Sequence, residues 1–195
     1  SGRILLDNQY NIQDVNLDSY LNQVGIVAQT PFLFEQTFHE NLTNGIQGVN
    51  VINMKELIEA TSIADIYPFI SSRKKGFDTI IGERGVNLSG GQKQRMTIAR
   101  AILRKPKILI LDAATSSVDV DTEYEILMQL KELFGKCTTI IITQRLSTVQ
   151  NADRIYIFDK GIIHEEGTHV ELMKENGMYA QLYHTITGGN KHEAK

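Results

Sequence analysis

One short segment of the chain has the composition of an anion-binding site. Residues 88–92 read Leu-Ser-Gly-Gly-Gln, and a helical hydrophobic pattern follows at once. Ser89 is a favourable N-cap residue, and the first turn of a helix offers unpaired N–H groups and the positive end of the helix dipole. Gly90 and Gly91 lack Cβ atoms, so the backbone can approach a ligand closely. An ordinary glycine-rich helix start would look the same, so these five residues need support from their surroundings.

Polar side chains at the ends of three predicted strands indicate a second site. Three apolar runs read as buried strands of a mostly parallel sheet: 24–28, 108–111 and 138–143. Gln29, Asp112 and Gln144 follow them. Because ligands of open α/β sheets bind outside the carboxyl ends of the strands, this pattern predicts a site at that edge.

The remaining patterns place these residues on an α/β fold. Residues 3–6 read as another strand, and residues 155–158 and 162–164 flank a hairpin turn at 159–161, so we expect a parallel core with an antiparallel edge. Helical spacing or composition marks four further segments: 54–63, 92–103, 123–133 and 170–184. We divide the chain into core segments 1–30 and 106–165, a helical insertion 31–105, and C-terminal helices with a polar tail, 166–195.

Composition and charge exclude some functional classes. The 195 residues are 42% hydrophobic and 22% charged, which is typical of a soluble globular protein. The net charge of −3 argues against a general nucleic-acid or anionic-lipid binder. No apolar stretch approaches the ~20 residues that span a bilayer. We therefore expect any link to a membrane to come through another domain.

Residues 89–119 follow the pattern of ATP-binding cassette proteins almost throughout. The segment 88–92, which we call the signature, is followed by a helix, Pro106, an apolar strand, Asp112 and the sequence Ser-Ser-Val-Asp at 116–119. The chain therefore resembles the nucleotide-binding domain of an ATP-binding cassette exporter of the multidrug or lipid type. The resemblance implies a RecA-like P-loop NTPase core with a mixed, mostly parallel sheet and an inserted α-helical subdomain. It also implies ATP and Mg²⁺ as cofactors.

The resemblance assigns roles to the residues of both predicted sites. In that family the signature contacts the γ-phosphate of ATP held by the other domain of a head-to-tail dimer. Four residues would bind ATP in this way, in trans: Ser89, Gly90, Gly91 and Gln92. Asp112 resembles the last residue of a Walker B strand and would hold Mg²⁺ through its water shell, with Gln29 as the Q-loop glutamine. By itself, Asp112 could equally cap the turn that follows it.

Other segments resemble surfaces that meet partner domains. Phe32 and Phe34 lie in an apolar loop that faces the transmembrane part in the family. Glu83 lies in a segment similar to the X-loop of exporters, where it would touch a coupling helix. Asp119 resembles the D-loop aspartate that bridges to the partner's site. The alternatives are core packing for the two phenylalanines and ordinary turns for Glu83 and Asp119.

The sequence departs from the family's pattern at three places. It has no Walker A motif G-x-x-x-x-G-K-[ST], so we expect an N-terminally truncated domain that holds ATP poorly by itself. Ala113 occupies the position of the catalytic glutamate, and alanine cannot orient water or accept a proton. Gln144 occupies the position of the switch histidine and cannot carry its positive charge.

Two changes at one composite site predict a degenerate half. Such a half would be deficient in hydrolysis itself and would supply an intact signature to the ATP of a competent partner. An engineered replacement at position 113 is an alternative, although it does not explain Gln144.

Three functions remain open from the sequence. The first is an ATP-driven export motor at the cytoplasmic face of a membrane, with a second nucleotide-binding domain and transmembrane domains as partners. The second is a non-hydrolytic regulatory ATP-binding module. The third is a soluble cassette ATPase acting on DNA or ribosomes, which the acidic balance and the X-loop-like segment disfavour; we expect no nucleic-acid partner.

Overall fold

The described chain divides into two units, 1–142 and 143–195. The computed structural model describes residues 2–46, 52–82, 85, 87–113, 118–133, 135 and 137–189. Within these ranges, none of the helices combines the length and the hydropathy that a membrane span requires. The predicted subdomain boundaries after residues 30, 105 and 165 stay predictions.

A parallel sheet lies at the centre of the first unit. The strands of this unit are β1 (Leu5–Leu6), β2 (Tyr10–Asn11), β3 (Val24–Val27), β4 (Ile108–Asp112) and β5 (Thr138–Ile142). Strands β3, β4 and β5 are parallel neighbours in that order, while β1 and β2 form an antiparallel pair. The three predicted strands are therefore confirmed, each within one residue at its ends. The prediction that all three are buried is wrong for β5, which is largely exposed because it lies at an edge of the three-stranded sheet.

Most helices of the first unit lie between β3 and β4. The helices of this unit are α1 (Leu17–Leu21), α2 (Phe38–Thr43), α3 (Met54–Ile63), α4 (Tyr67–Ser71), α5 (Gly90–Leu103) and α6 (Val120–Leu133), with a 3₁₀ turn at Gly76–Asp78. Of these, α1 precedes β3 and α6 follows β4. The prediction for 54–63 is confirmed to the residue, and α5 and α6 begin two and three residues earlier than predicted. Helices α1, α2 and α4 have only five or six residues, too few for a helical period to show in the sequence.

Reciprocal capping fixes where several helices begin. The pairs are Thr37 with Glu40, Asn53 with Glu56, Ser89 with Gln92, and Thr168 with Glu171. In each pair the first side chain accepts the N–H of the second residue, and the second side chain accepts the N–H of the first. Such a cap stabilises a helix by about 1 kcal/mol. Ser89 of the signature therefore stabilises the start of α5, in addition to any role in binding.

The hydrophobic core locks α5 against the sheet and the other helices. Helix α5 carries an apolar stripe that is buried at four positions: Met96, Ala99, Ile102 and Leu103. Helix α5 contacts α2, α3 and β3. The helix that begins at the signature is therefore part of the core and cannot shift without moving its neighbours.

The second unit combines a hairpin with short helices. Its elements are α7 (Leu146–Val149), β6 (Ile155–Asp159), β7 (Ile162–Gly167), α8 (His169–Glu175) and α9 (Met178–Gly189). Lys160 and Gly161 both have positive φ, as the two-residue turn between β6 and β7 requires. Strands β6 and β7 pair antiparallel with each other, so the predicted hairpin is confirmed.

Glu165 of β7 caps the N-terminus of α9, and this cap yields a stability prediction. Its carboxylate accepts the backbone N–H groups of Met178 and Tyr179. A Cβ at Gly177 would collide with that carboxylate. We expect Gly177→Ala to displace the cap and lower the free energy of unfolding by roughly 1–2 kcal/mol in chemical denaturation. In a Glu165→Ala background the same substitution should cost clearly less, and an equal cost would contradict this account.

Candidate functional site

The signature residues form the N-terminus of α5. Ser89 Oγ accepts the N–H of Gln92 at 3.2 Å, and Gln92 Oε1 accepts the N–H of Ser89 at 2.9 Å. Leu88 is buried and anchors the turn in the core. Ser89 and Gly90 are exposed, while Gly91 and Gln92 are half-buried. The turn is therefore rigidly placed and open to an incoming group.

The capping box uses the acceptors of this turn and leaves its donors. Because Ser89 Oγ already accepts a hydrogen bond, its O–H remains to donate. Gln92 Oε1 is engaged in the same way, so its Nε2 group is left with two donors. The N–H groups of Gly90 and Gly91 have no partner within the described part of the chain. A turn that presents these donors, at the positive end of a 14-residue helix, suits the oxygens of an anion.

Gln29 and Asp112 lie at the same edge of the parallel sheet. Asp112 ends β4, and Gln29 follows β3 by two residues, with Val27 opposite Leu111. Gln29 is exposed and Asp112 is half-buried, and neither side chain forms a hydrogen bond with another described residue. The sequence-predicted pair is thus brought to adjacent strand ends.

The oxygen atoms of Gln29 and Asp112 at this edge are suitable ligands for Mg²⁺. Carboxylate and amide oxygens are ligands of Mg²⁺, and the ion keeps several waters, so one or two protein groups are enough. Within the ranges that the structure describes, no group of three or more His, Cys, Asp or Glu side chains is placed to hold a metal. A magnesium ion at Asp112 would therefore take its remaining ligands from water or from a bound phosphate.

Ala113 has a left-handed backbone that main-chain groups hold in place. Its φ is +45°, a conformation that residues other than glycine rarely adopt. Its N–H donates to the carbonyl oxygen of Ile142 at 2.8 Å, and its carbonyl oxygen accepts from Gln94 Nε2 at 3.4 Å. The conformation is therefore set by tertiary contacts and does not depend on the methyl side chain.

Gln94 is a residue of this region that the sequence analysis missed. It is buried on α5 and links that helix to the end of β4 through the Ala113 carbonyl. Gln94, Ile98 and Ala101 lie on one face of the helix at spacings of four and three residues, and all are buried. A glutamine on an otherwise apolar face of the helix is the sequence feature from which Gln94 could have been identified.

Asp119 acts as the N-cap of α6 in this structure. Its Oδ1 accepts the N–H of Thr122 at 2.9 Å, and its Oδ2 lies 3.5 Å from Nη2 of Arg95 on α5. The N–H of Thr122 is the main cause that holds the pKa of the Asp119 carboxyl below its usual value. The predicted bridge to a partner's site stays a prediction. Ser116, Ser117 and Glu83 lie outside the described residues.

Gln144 belongs to the second unit, where it is exposed. Its side chain forms no hydrogen bond with the residues described there. The structure thus brings Gln29, Asp112 and Ala113 together at one sheet edge of the first unit. Gln144 lies in the second unit. Its role at the switch position stays a prediction.

Phe32 and Phe34 expose apolar surface in the loop after β3. Their side chains are 56% and 41% exposed, and their rings meet edge to face with centroids 4.9 Å apart. Leu33 between them is buried. The alternative that both phenylalanines are core residues therefore does not hold, while their contact with transmembrane domains stays a prediction.

Comparisons with known proteins identify the family. A sequence model of the family described as ABC transporter matches residues 1–116, and the chain belongs to the ABC transporter family. It is 46% identical over 183 residues to the ATP-dependent lipid A-core flippase of Syntrophus aciditrophicus, covering 94% of this chain and 30% of the flippase. It is 44% identical over 183 residues to multidrug resistance protein 1 of Entamoeba histolytica, covering 93% of this chain and 14% of that protein.

A solved structure confirms the fold class. The structure of a bacterial Atm1-family ABC exporter with ATP bound matches with a TM-score of 0.87 at 39% identity, covering 95% of this chain and 32% of that one. The predicted RecA-like α/β core with an inserted α-helical subdomain is therefore confirmed. The chain spans between 14% and 32% of the length of these relatives.

Proposed function

We propose that the chain is the ATP-binding part of an ABC exporter. It pairs head to tail with a second nucleotide-binding domain and couples ATP binding and hydrolysis to transmembrane domains at the cytoplasmic face of a membrane. The observation that carries this proposal is the set of unpaired donors at Ser89–Gln92, at the N-terminus of α5. The names of the relatives, a lipid A-core flippase and a multidrug resistance protein, support the exporter class.

The four signature residues are assigned to the γ-phosphate of ATP held by the partner domain. The hydroxyl of Ser89, the N–H groups of Gly90 and Gly91 and the amide group of Gln92 are the donors. Hydrogen bonds from such groups to a charged phosphate are about twice as strong as those between neutral groups. Asp112 and Gln29 are assigned to Mg²⁺, which neutralises charge on the phosphate oxygens when it is bound with ATP.

The chain's own site is assigned a weak role in hydrolysis. Ala113 has no group that could orient the attacking water or accept its proton. Gln144 can donate a hydrogen bond but carries no positive charge. The chain then contributes to turnover mainly through its signature, at a nucleotide that the partner holds.

Ala113 and Gln144 also favour a second candidate function, that of a non-hydrolytic regulatory ATP-binding module. In that case ATP would close the two domains without being turned over at either site. The motor and the module therefore predict the same ATP-dependent contact at Ser89 and differ in ATP turnover by the pair.

Hydrogen exchange of the full-length protein with its partner domain tests this proposal. ATP with Mg²⁺ should slow exchange in the peptide 88–95 by about 10-fold or more, because the donors of the turn become engaged. Phosphate release by the same preparation separates the motor from the module. If ATP leaves exchange in 88–95 unchanged, the assignment of the signature is wrong.

A further inference from the structure

A polar cluster at the base of the Phe32–Phe34 loop ties that loop to α2. Asn41 on α2 is fully buried, and its Oδ1 accepts the N–H of Phe34 at 2.9 Å. Its Nδ2 group lies 3.0 Å from the carbonyl oxygen of Phe34 and 3.1 Å from that of Thr37. One side chain thus binds both backbone groups of Phe34, much as a neighbouring strand would.

Arg100 connects the same loop to α5. Its Nη1 donates to the carbonyl oxygen of Phe32 at 3.1 Å. Its Nε donates to the carbonyl oxygen of Asn41 at 2.7 Å, and its Nη2 lies 3.3 Å from Asn41 Oδ1. We call these two residues and their hydrogen bonds the Asn41–Arg100 clamp.

The clamp contains a half-buried charge, that of Arg100, for which the described residues provide no counter-charge. Within the described residues no carboxylate pairs with Arg100. Burial, with a smaller contribution from Arg104, lowers the pKa of its guanidinium below the usual value. Burying a cation in this way is costly, and its planar fork is the feature that binds several carbonyl oxygens in a fixed orientation. The arrangement therefore favours a role in holding the loop at a set angle to α5.

The other end of the loop lacks such anchors. The side chains of Gln29 and Thr30 are exposed and form no hydrogen bonds with described residues. Leu33, in contrast, is buried, and its Cδ1 lies 3.1 Å from the place where a Cβ would stand at Gly85. The loop is thus fixed to the helices from Phe32 onward, while the side chains of Gln29 and Thr30 bind no other described residue.

We propose that the Asn41–Arg100 clamp makes the loop carrying Phe32 and Phe34 move as one body with α5, so that a displacement of this apolar pair reaches the signature at Ser89. Asn41 and Arg100 are positioning residues in this account. Helix α5 rises about 15 Å between Gly90 and Arg100, within one packed core. The inference rests on the proposed function, because it joins the surface assigned to the transmembrane domains to the residues assigned to ATP.

Hydrogen exchange of the full-length protein with its partner domain tests the clamp. Without nucleotide, Arg100→Gln should speed exchange in the peptide 30–37 by about 10-fold, since a lost hydrogen bond changes an opening equilibrium by roughly that factor. Arg100→Lys keeps the charge but not the fork, and should give a smaller increase. It also serves as the milder variant should Arg100→Gln fail to fold.

Arg104→Gln is the matched control for this experiment. Arg104 follows four residues later as the C-cap residue of α5, and its Nη2 donates to the carbonyl oxygen of Gly45 at 2.8 Å, outside the loop. Its replacement should leave exchange in 30–37 unchanged. An equal increase in Arg104→Gln and Arg100→Gln would mean a general loosening of α5 and would overturn the clamp.

ATP with Mg²⁺ tests transmission between the two segments. In the parent protein, exchange should slow in 88–95 and in 30–37 together, whereas in Arg100→Gln the response of 30–37 should be lost and that of 88–95 retained. A parent-like response of the loop in Arg100→Gln would overturn the proposal. If 88–95 of the parent does not respond to ATP, the proposed function fails and transmission fails with it. The nucleotide-free comparison of Arg100→Gln with Arg104→Gln still decides whether the clamp exists.

Discussion

Ala113→Glu combined with Gln144→His is expected to raise ATP turnover of the full-length protein by about 100-fold at this chain's own site. A positioned general base contributes roughly 10²–10⁴ to such reactions, and alanine supplies none of this. The histidine adds a group that can carry positive charge near the γ-phosphate. Phosphate release at saturating ATP and Mg²⁺ measures the gain.

The structure indicates that position 113 accepts a longer side chain. Its left-handed backbone is held by hydrogen bonds of its own N–H and carbonyl groups, and these do not involve the side chain. The residue is half-buried, so a carboxylate there would keep contact with solvent. The added glutamate should therefore change chemistry more than stability.

Ala113→Gln is the control for the first prediction. Glutamine has the length and polarity of glutamate but cannot accept a proton, so it should give little of the gain. The restored glutamate must be ionised to act, and turnover should therefore fall as the pH drops through its pKa. Unchanged turnover in the doubly restored protein would contradict the account in which these two positions limit hydrolysis.

Elements with a full hydrophobic period could be predicted from the sequence. Strands β3 and β4 and helices α3 and α5 bury one face or both, and their bounds follow from that burial. Short helices such as α2 depend on a capping box and on neighbours that the chain reaches only after folding. The pairing of β6 with β7 was predictable, because the two-residue turn between them has its own sequence signal.

The residues of the candidate site could be predicted from the sequence where they lie at or next to the end of a strand or helix. Asp112 ends a strand, Gln29 follows one and Ser89 caps a helix, and the hydrophobic pattern locates such ends. Gln94 and Arg100 act through backbone carbonyls 19 and up to 68 residues away in the sequence. No spacing rule links a side chain to a carbonyl at that distance. The left-handed backbone of Ala113 was unpredictable for the same reason, because tertiary hydrogen bonds impose it.

Gly91→Asp is expected to weaken the ATP-dependent contact at the signature by at least about 100-fold while the fold is retained. A carboxylate at the second position of α5 would face the γ-phosphate, and juxtaposed like charges cost several kcal/mol. The same carboxylate favours the N-terminus of a helix by about 0.3–1 kcal/mol, and replacing glycine in a helix is itself favourable. Binding and stability should therefore change in opposite directions.

Gly91→Asn separates charge from size in this second prediction. Asparagine has the shape of aspartate without its charge, so it should cost far less than the aspartate does. The ATP concentration that half-protects the peptide 88–95 from hydrogen exchange measures the contact, and thermal unfolding measures the fold. Equal losses for Asp and Asn would show that the site rejects any side chain at 91. A loss of thermal stability in Gly91→Asp would show that the N-terminus of α5 does not have the favourable field that an anion-binding signature requires.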